Sequence, residues 1–278
     1  MRAAVVLLLV LCACPPRPVP TAEPLRLGAM PSVHPEVRRR AIGPVAAWLG
    51  RRLGREVRVE VPDTYEQTAR ALSEQRWDLA VVGGLTYARA HEGGYDALAA
   101  PAKGGVWTID GVIIARPGGP TSVAELKGRR LAFVDPRSTS GFQFPVAWLL
   151  AQGLTAADLK DRTFLGEHHA VVRAVAEGRF DAGACYEEAI AEALPEAERG
   201  RLKVLGRTDP VPGDVFAGLR SSSAMPALRE AFAALARDPA LKELMAPLMG
   251  DGLVVPDDRL LDQTRRIDLL LAETPGLW

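Results

Sequence analysis

From Leu25 onward short β-type runs alternate with amphipathic stretches, and this alternation limits the possible folds more than any other feature of the chain. Runs 25–29, 57–61 and 79–82 predict strands, and spans 36–53 and 65–74 predict the helices between them. Ile42, Val45, Ala46, Leu49 and Leu53 recur at helical spacing, and Gly54 follows as a left-handed stop. Asp63, three residues before Glu66, offers a capping box for the second helix. A βαβαβ order of this kind builds a parallel sheet covered by helices. A second series follows. Ile113-Ile114-Ala115, 130–134 and 180–185 predict strands, while 122–127 (with Glu125 at the capping position), 142–152 and 169–177 predict helices, the last two stopped at Gly153 and Gly178. A strand over 215–219 and helices over 226–237, 241–249 and 258–271 complete the chain. At about 100 to 200 residues per domain, 278 residues fit two α/β lobes. The boundary is expected near 111–118, where a strand runs into Arg-Pro-Gly-Gly-Pro.

The first fourteen residues stand apart. Arg2 precedes an apolar run that ends in Leu11-Cys12-Ala13-Cys14, as in a secretion signal. The run is far shorter than the roughly 20 residues of a membrane span. The last four residues resemble a lipoprotein cleavage box, with Cys14 the lipidated residue and Cys12 an unusual neighbour for it. Residues 15–24 hold five prolines and predict an extended tether. With Cys14 carrying lipid, Cys185 is the last thiol and no disulfide forms within the chain. The 34 basic residues balance the 34 acidic ones, and no basic stretch stands out. This argues against a nucleic-acid or anionic-membrane binder.

In two-lobed α/β folds ligands settle at strand-to-helix loops. The sharpest such loop is Asp135-Pro136-Arg137-Ser138-Thr139-Ser140-Gly141, which leads from an apolar strand into a helix. Unpaired N–H groups at a helix start, together with three hydroxyls, can receive an oxyanion without a basic side chain. The plainer alternative is one capping hydroxyl and two solvated ones. Gly166-Glu167-His168-His169 enters the next helix, but successive residues point about 100° apart, so the two rings make a poor chelate. Tyr65 opens a helix and Tyr87 follows the strand exit Gly83-Gly84-Leu85-Thr86. Both sit where a phenol could face a ligand or simply pack.

These residues resemble the phosphonate, phosphite and phosphate binding proteins of ABC importers over roughly 25–219. The most specific element is Asp-Pro-x-Ser-Thr-Ser-Gly at 135–141. Gly-x-His at 166–168, Gly-x-x-Asp-Ala-Gly at 178–183, Tyr65, Asp-x-Ala at 78–80 and Pro-Gly-Asp at 212–214 accompany it. The resemblance implies a type II periplasmic-binding-protein fold, each lobe a mostly parallel sheet flanked by helices, with the ligand in the interlobe cleft. It divides the chain into 25–113 with 213–278, and 114–212, with hinges near 114–117 and 205–212. It implies that Ser138, Thr139, Ser140 and His168 hold a small phosphorus oxyanion, and that Tyr65 and Tyr87 close over it. Asp214, with Glu187 or Glu188, would lie near the ammonium of an aminoalkyl ligand. Gly83-Gly84 departs from the family's usual Gly-Pro, and Tyr186 is a further variable point on the ligand's organic side. The function so implied is that of a monomeric, lipid-anchored binding protein in the cell envelope that serves a membrane permease, without cofactor, metal or catalysis. A sensor for a membrane receptor is one alternative. An exported hydrolase using His168, His169, Asp181 or Asp214 is another, although no nucleophile elbow, zinc motif or phosphate loop supports it.

Overall fold

A computed structural model describes residues 23–256, 258–274 and 278. The signal segment 1–14 with Cys14, and the tether as far as residue 22, lie outside the described residues. The first lobe begins β1 (Leu25–Ala29), α1 (Pro35–Leu53), β2 (Val57–Glu60), α2 (Tyr65–Ser73), β3 (Leu79–Gly83), α3 (Gly84–Glu92) and β4 (Tyr95–Ala102). The chain then crosses into a second lobe of β5 (Thr108–Ala115), β6 (Arg130–Phe133), α4 (Phe144–Ala151), β7 (Asp161–Phe164), α5 (His168–Ala176), β8 (Ala182–Tyr186), α6 (Ala189–Ala193), α7 (Glu196–Arg199) and β9 (Lys203–Pro212). It returns through β10 (Asp214–Leu219), α8 (Met225–Leu235), α9 (Leu241–Met245), β11 (Gly252–Val254) and α10 (Asp258–Glu273).

The first sheet has the order β11-β4-β10-β3-β1-β2 and the second β7-β6-β8-β5-β9. Each has a parallel core, β2-β1-β3 in one and β7-β6-β8 in the other. Antiparallel strands extend both cores: β10 beside β3, and β5 beside β8. Leu27, Ile42, Leu49, Leu79, Phe216 and Leu228 fill the first core, and Ile113, Leu131, Phe133, Val146 and Leu149 the second. Each such side chain, fully buried, contributes about 1.5–3 kcal/mol. Cys185 is also buried, and burial pushes its thiol well above the usual range. Among the described residues no helix is long and apolar enough to cross a membrane.

Several elements differ from the sequence reading for identifiable reasons. The cap of α2 is Thr64, whose side chain accepts from Gln67 N, while Gln67 Oε1 accepts from Asp63 N. The box is therefore displaced by one residue from Asp63–Glu66. Glu125 likewise accepts from Thr121, over a single 3₁₀ turn at Ala124–Leu126 in place of a helix over 122–127. The helix expected over 241–249 breaks into α9 and a 3₁₀ turn, and Met249 ends it at φ 61°. Gly54, Gly153 and Gly178 do take the left-handed conformation expected of helix stops. Strand β9 escaped notice because it holds Pro210 and Pro212, which a sheet tolerates at its edge.

The first crossing between the lobes falls earlier than the boundary expected near 111–118. All of β5 pairs with β8 and β9 of the second sheet, so residues 108–113 belong there and the chain crosses at 103–107. It returns at Gly213, between β9 and β10. Helix α10 is not confined to the first lobe. It packs on α3 of that lobe and on α4 and β9 of the other, with Arg89 of α3 clasping Asp268. Beyond it, Trp278 sits edge-on to Phe133 in the second core.

Candidate functional site

Parallel strands in both sheets point their carboxyl ends at one cleft of about 750 Å³, which both lobes line. The loop after β1 contributes Met30, Ser32 and His34, the end of β3 contributes Gly83, and the segment after β6 contributes Ser138, Thr139 and Ser140. The lobes touch at the floor of this cleft. His168 N donates to Ser32 O at 3.1 Å, and Leu85 N donates to Thr139 Oγ1 at 3.1 Å.

The Ser-Thr-Ser segment does not open an ordinary α-helix over 142–152. Residues Thr139–Gln143 form a π-helical turn, in which Gln143 N donates to Ser138 O at 3.0 Å, and α4 starts only at Phe144. Pro145 supplies a reason: it has no N–H for the Gly141 carbonyl, which accepts from Val134 N instead and ties the turn back to β6. Wide turns of this type recur at functional sites. Ser138 caps the turn, its Oγ accepting from Gly141 N at 3.0 Å. The Ser140 hydroxyl has no partner among the described residues. All three residues are buried yet line the cleft.

A Cβ on Gly141 would lie 2.3 Å from Val134 Cγ2 and 2.8 Å from Ser138 Oγ. The Gly141→Ala variant is therefore expected to lose about 1–3 kcal/mol of stability through overpacking. Urea unfolding checks this, and an unchanged midpoint would contradict the tight packing of the turn.

His168 opens α5 opposite this turn. Its Nδ1 faces Tyr186 N at 3.4 Å; that amide can only donate, so the neutral ring carries its proton on Nε2, 3.5 Å from Ser138 Oγ. Burial, and secondarily the neighbouring His169, push the imidazole down to about 3. His168 is thus an uncharged donor at neutral pH. His169 turns elsewhere, to Glu192 Oε2 at 3.0 Å. The buried Tyr65 hydroxyl lies beside Ser138, and no hydrogen bond of full geometry satisfies it among the described residues. Burial, with help from Asp135 and Asp214, keeps this phenol protonated.

Asp214 begins β10 and lines the cleft, with its Oδ2 2.5 Å from Arg38 Nη2 on α1. Of the two glutamates left open, Glu188 lines the cleft. Both terminal guanidinium nitrogens of Arg207, Nη1 and Nη2, donate to Glu187, and this keeps its carboxyl below the usual range. Tyr87 is a correction. Strand β3 passes directly into α3 with no intervening loop, and the helix turns Tyr87 out of the cleft lining. Its hydroxyl accepts from Ala97 N at 3.0 Å. Gly84 also has a packing reason: a Cβ there would lie 2.4 Å from the Pro212 ring, so the usual proline cannot enter without moving Pro212. Asp181 sits outside the cleft lining, paired with Arg130, so of the two carboxylates offered for a hydrolase only Asp214 shares the cleft with His168 and His169, and Arg38 holds it.

Sequence reasoning missed four charged residues of the cleft, Arg38, Lys103, Arg173 and Glu192, of which two bond to other residues of the lining. Glu192 accepts from His169 and from the Tyr186 hydroxyl at 2.5 Å. Burial raises its carboxyl, but these bonds, with the charges of His169 and Arg38, outweigh that and hold it below the usual range. Arg38 is the other. It stands four and seven residues before Ile42 and Val45, on the helix's apolar stripe, and that placement was a usable signal of a buried cation.

The cleft and its fold have relatives. Residues 27–261 match the family model for the periplasmic phosphonate substrate-binding protein of ABC transporters. The phosphate-import protein PhnD of Mycolicibacterium smegmatis is 27% identical over 221 residues, which are 70% of this chain and 66%, just under two thirds, of that relative. Among solved structures, PhnD1 from Prochlorococcus marinus in complex with methylphosphonate superimposes with a TM-score of 0.78 at 18% identity, covering 89% of this chain and 98% of that one. A binding-protein component of an ABC phosphonate transporter from Pseudomonas aeruginosa gives 0.80 at 18% identity, covering 90% and 87%. The two likenesses confirm the type II periplasmic-binding fold, and the family model, spanning most of the sequence, shows that this chain belongs to the phosphonate-binding family of ABC-transporter periplasmic substrate-binding proteins.

Proposed function

We propose that this protein captures a small phosphorus oxyanion in the cleft between its lobes and delivers it to an ABC permease, held at the membrane by lipid on Cys14. The observation that carries this reading is the Ser138-Thr139-Ser140 turn in the cleft lining, where Ser138 Oγ lies 3.5 Å from His168 Nε2 and beside the Tyr65 hydroxyl. Neutral donors in a desolvated pocket suit a ligand that brings its own charge. Tyr65 comes from the first lobe and the serines from the second, so the oxyanion favours the state in which the lobes meet. Asp214 acts on the ligand's far side through Arg38.

The test is thermal unfolding of the chain from Leu25 onward with phosphate, phosphite, methylphosphonate and sulfate. A ligand at 100 times its dissociation constant stabilises by about 2.7 kcal/mol, a shift of roughly 5–10 °C in a protein of this size. A shift with a phosphorus oxyanion and none with sulfate is the expected result. No shift with any phosphorus oxyanion would sink the reading.

A further inference from the structure

Arg38 is only 5% exposed, yet it lines the same cleft as the Ser-Thr-Ser turn. Its guanidinium meets one carboxylate, Asp214, and its Nε–H has no partner among the described residues. A buried guanidinium N–H left unpaired is costly, and an acceptor in the cleft would relieve that cost. Tyr65, Tyr186 and Glu192 share the cleft lining with Arg38 and Asp214.

A ligand ammonium would need a carboxylate that is free to receive it. Asp214 is taken by Arg38, and Glu192 by His169 and Tyr186. Glu188, also in the lining, is solvent-exposed. Resting on the oxyanion reading above, we propose that Arg38 is the specificity-determining residue of this cleft and makes it select phosphorus oxyanions that carry no cationic group. Arg38 ties up Asp214, so an ammonium would meet only the solvent-exposed, screened carboxylate of Glu188; Arg38 also repels that ammonium and offers its spare N–H to a ligand oxygen. The assignment of Asp214 to an aminoalkyl ligand is thereby replaced for this chain.

Ethylphosphonate and 2-aminoethylphosphonate are alike except for the amine, so titration calorimetry with the two probes this directly. The unaltered protein is expected to bind ethylphosphonate at least tenfold more tightly. In Arg38→Gln, ethylphosphonate should weaken and the ratio should move at least tenfold toward 2-aminoethylphosphonate, because Asp214 is released. Equal or tighter binding of 2-aminoethylphosphonate by the unaltered protein overturns the inference. So does an Arg38→Gln variant that weakens both ligands by one factor. The comparison on the unaltered protein stands even if the variant does not fold. If neither phosphonate binds, and phosphate, phosphite and methylphosphonate do not bind either, the proposed function falls and this inference with it; binding without discrimination removes the inference alone.

Discussion

Replacing Ser138, Thr139 and Ser140 together with alanine is expected to lower oxyanion affinity by at least about a thousandfold while the protein stays folded. Hydrogen bonds to a charged group contribute about 1.5–3 kcal/mol each. Three of them come to at least roughly 4.5 kcal/mol, and each 1.4 kcal/mol is tenfold in affinity. The structural cost is smaller. Ser138 gives up the cap on Gly141 N, about 1 kcal/mol, and Thr139 gives up one contact to Leu85 N. Titration calorimetry, with circular dichroism to follow folding, separates the two effects. Affinity within tenfold of the unaltered protein in a folded triple variant would remove these residues from the site.

The second large effect concerns pH. His168 is held at about 3 in the folded protein, against an unfolded value near 6.5. Between these values the unfolded chain binds a proton that the folded one does not, so stability falls as pH drops below about 6.5 and the loss is complete near 3. The slope from this one group approaches 1.4 kcal/mol per pH unit, and carboxylates add their own slopes at the acid end. The informative quantity is therefore the difference between the unaltered protein and His168→Gln. That variant should lose less stability between pH 6.5 and 4, by roughly 2–3 kcal/mol. Parallel curves of stability against pH for the two proteins would mean that the imidazole is not buried and neutral as described.

The residues that carry these effects differ in how openly the sequence displayed them. The Ser-Thr-Ser turn was legible because its chemistry is local: an apolar strand, three hydroxyls and a glycine occur within one short stretch. Its wide π-helical form was not, since that depends on where the Gly141 carbonyl finds a donor after Pro145 denies it one. Tyr87 was misplaced because hydrophobic patterning does not distinguish a loop after β3 from a helix that starts at its last residue. Strands β4 and β9 carry Pro101, Pro210 and Pro212, and composition alone speaks against strands there. Pairing with neighbours in the sheet overrode that preference.

Short-range information in the chain was enough for the α/β class, the order β1-α1-β2-α2-β3, the helix stops at Gly54, Gly153 and Gly178, and the Ser-Thr-Ser turn, because periodicity, capping and turn chemistry act between residues a few places apart. Where the chain crosses between lobes, that α10 lies across both, and which charges share the cleft depend on long-range packing. Arg38 and Asp214 are 176 residues apart, and His169 and Glu192 belong to different helices. Such pairs meet only after strand order and lobe contact have fixed the backbones, and burial then turns ordinary charged side chains into the paired groups of one cleft.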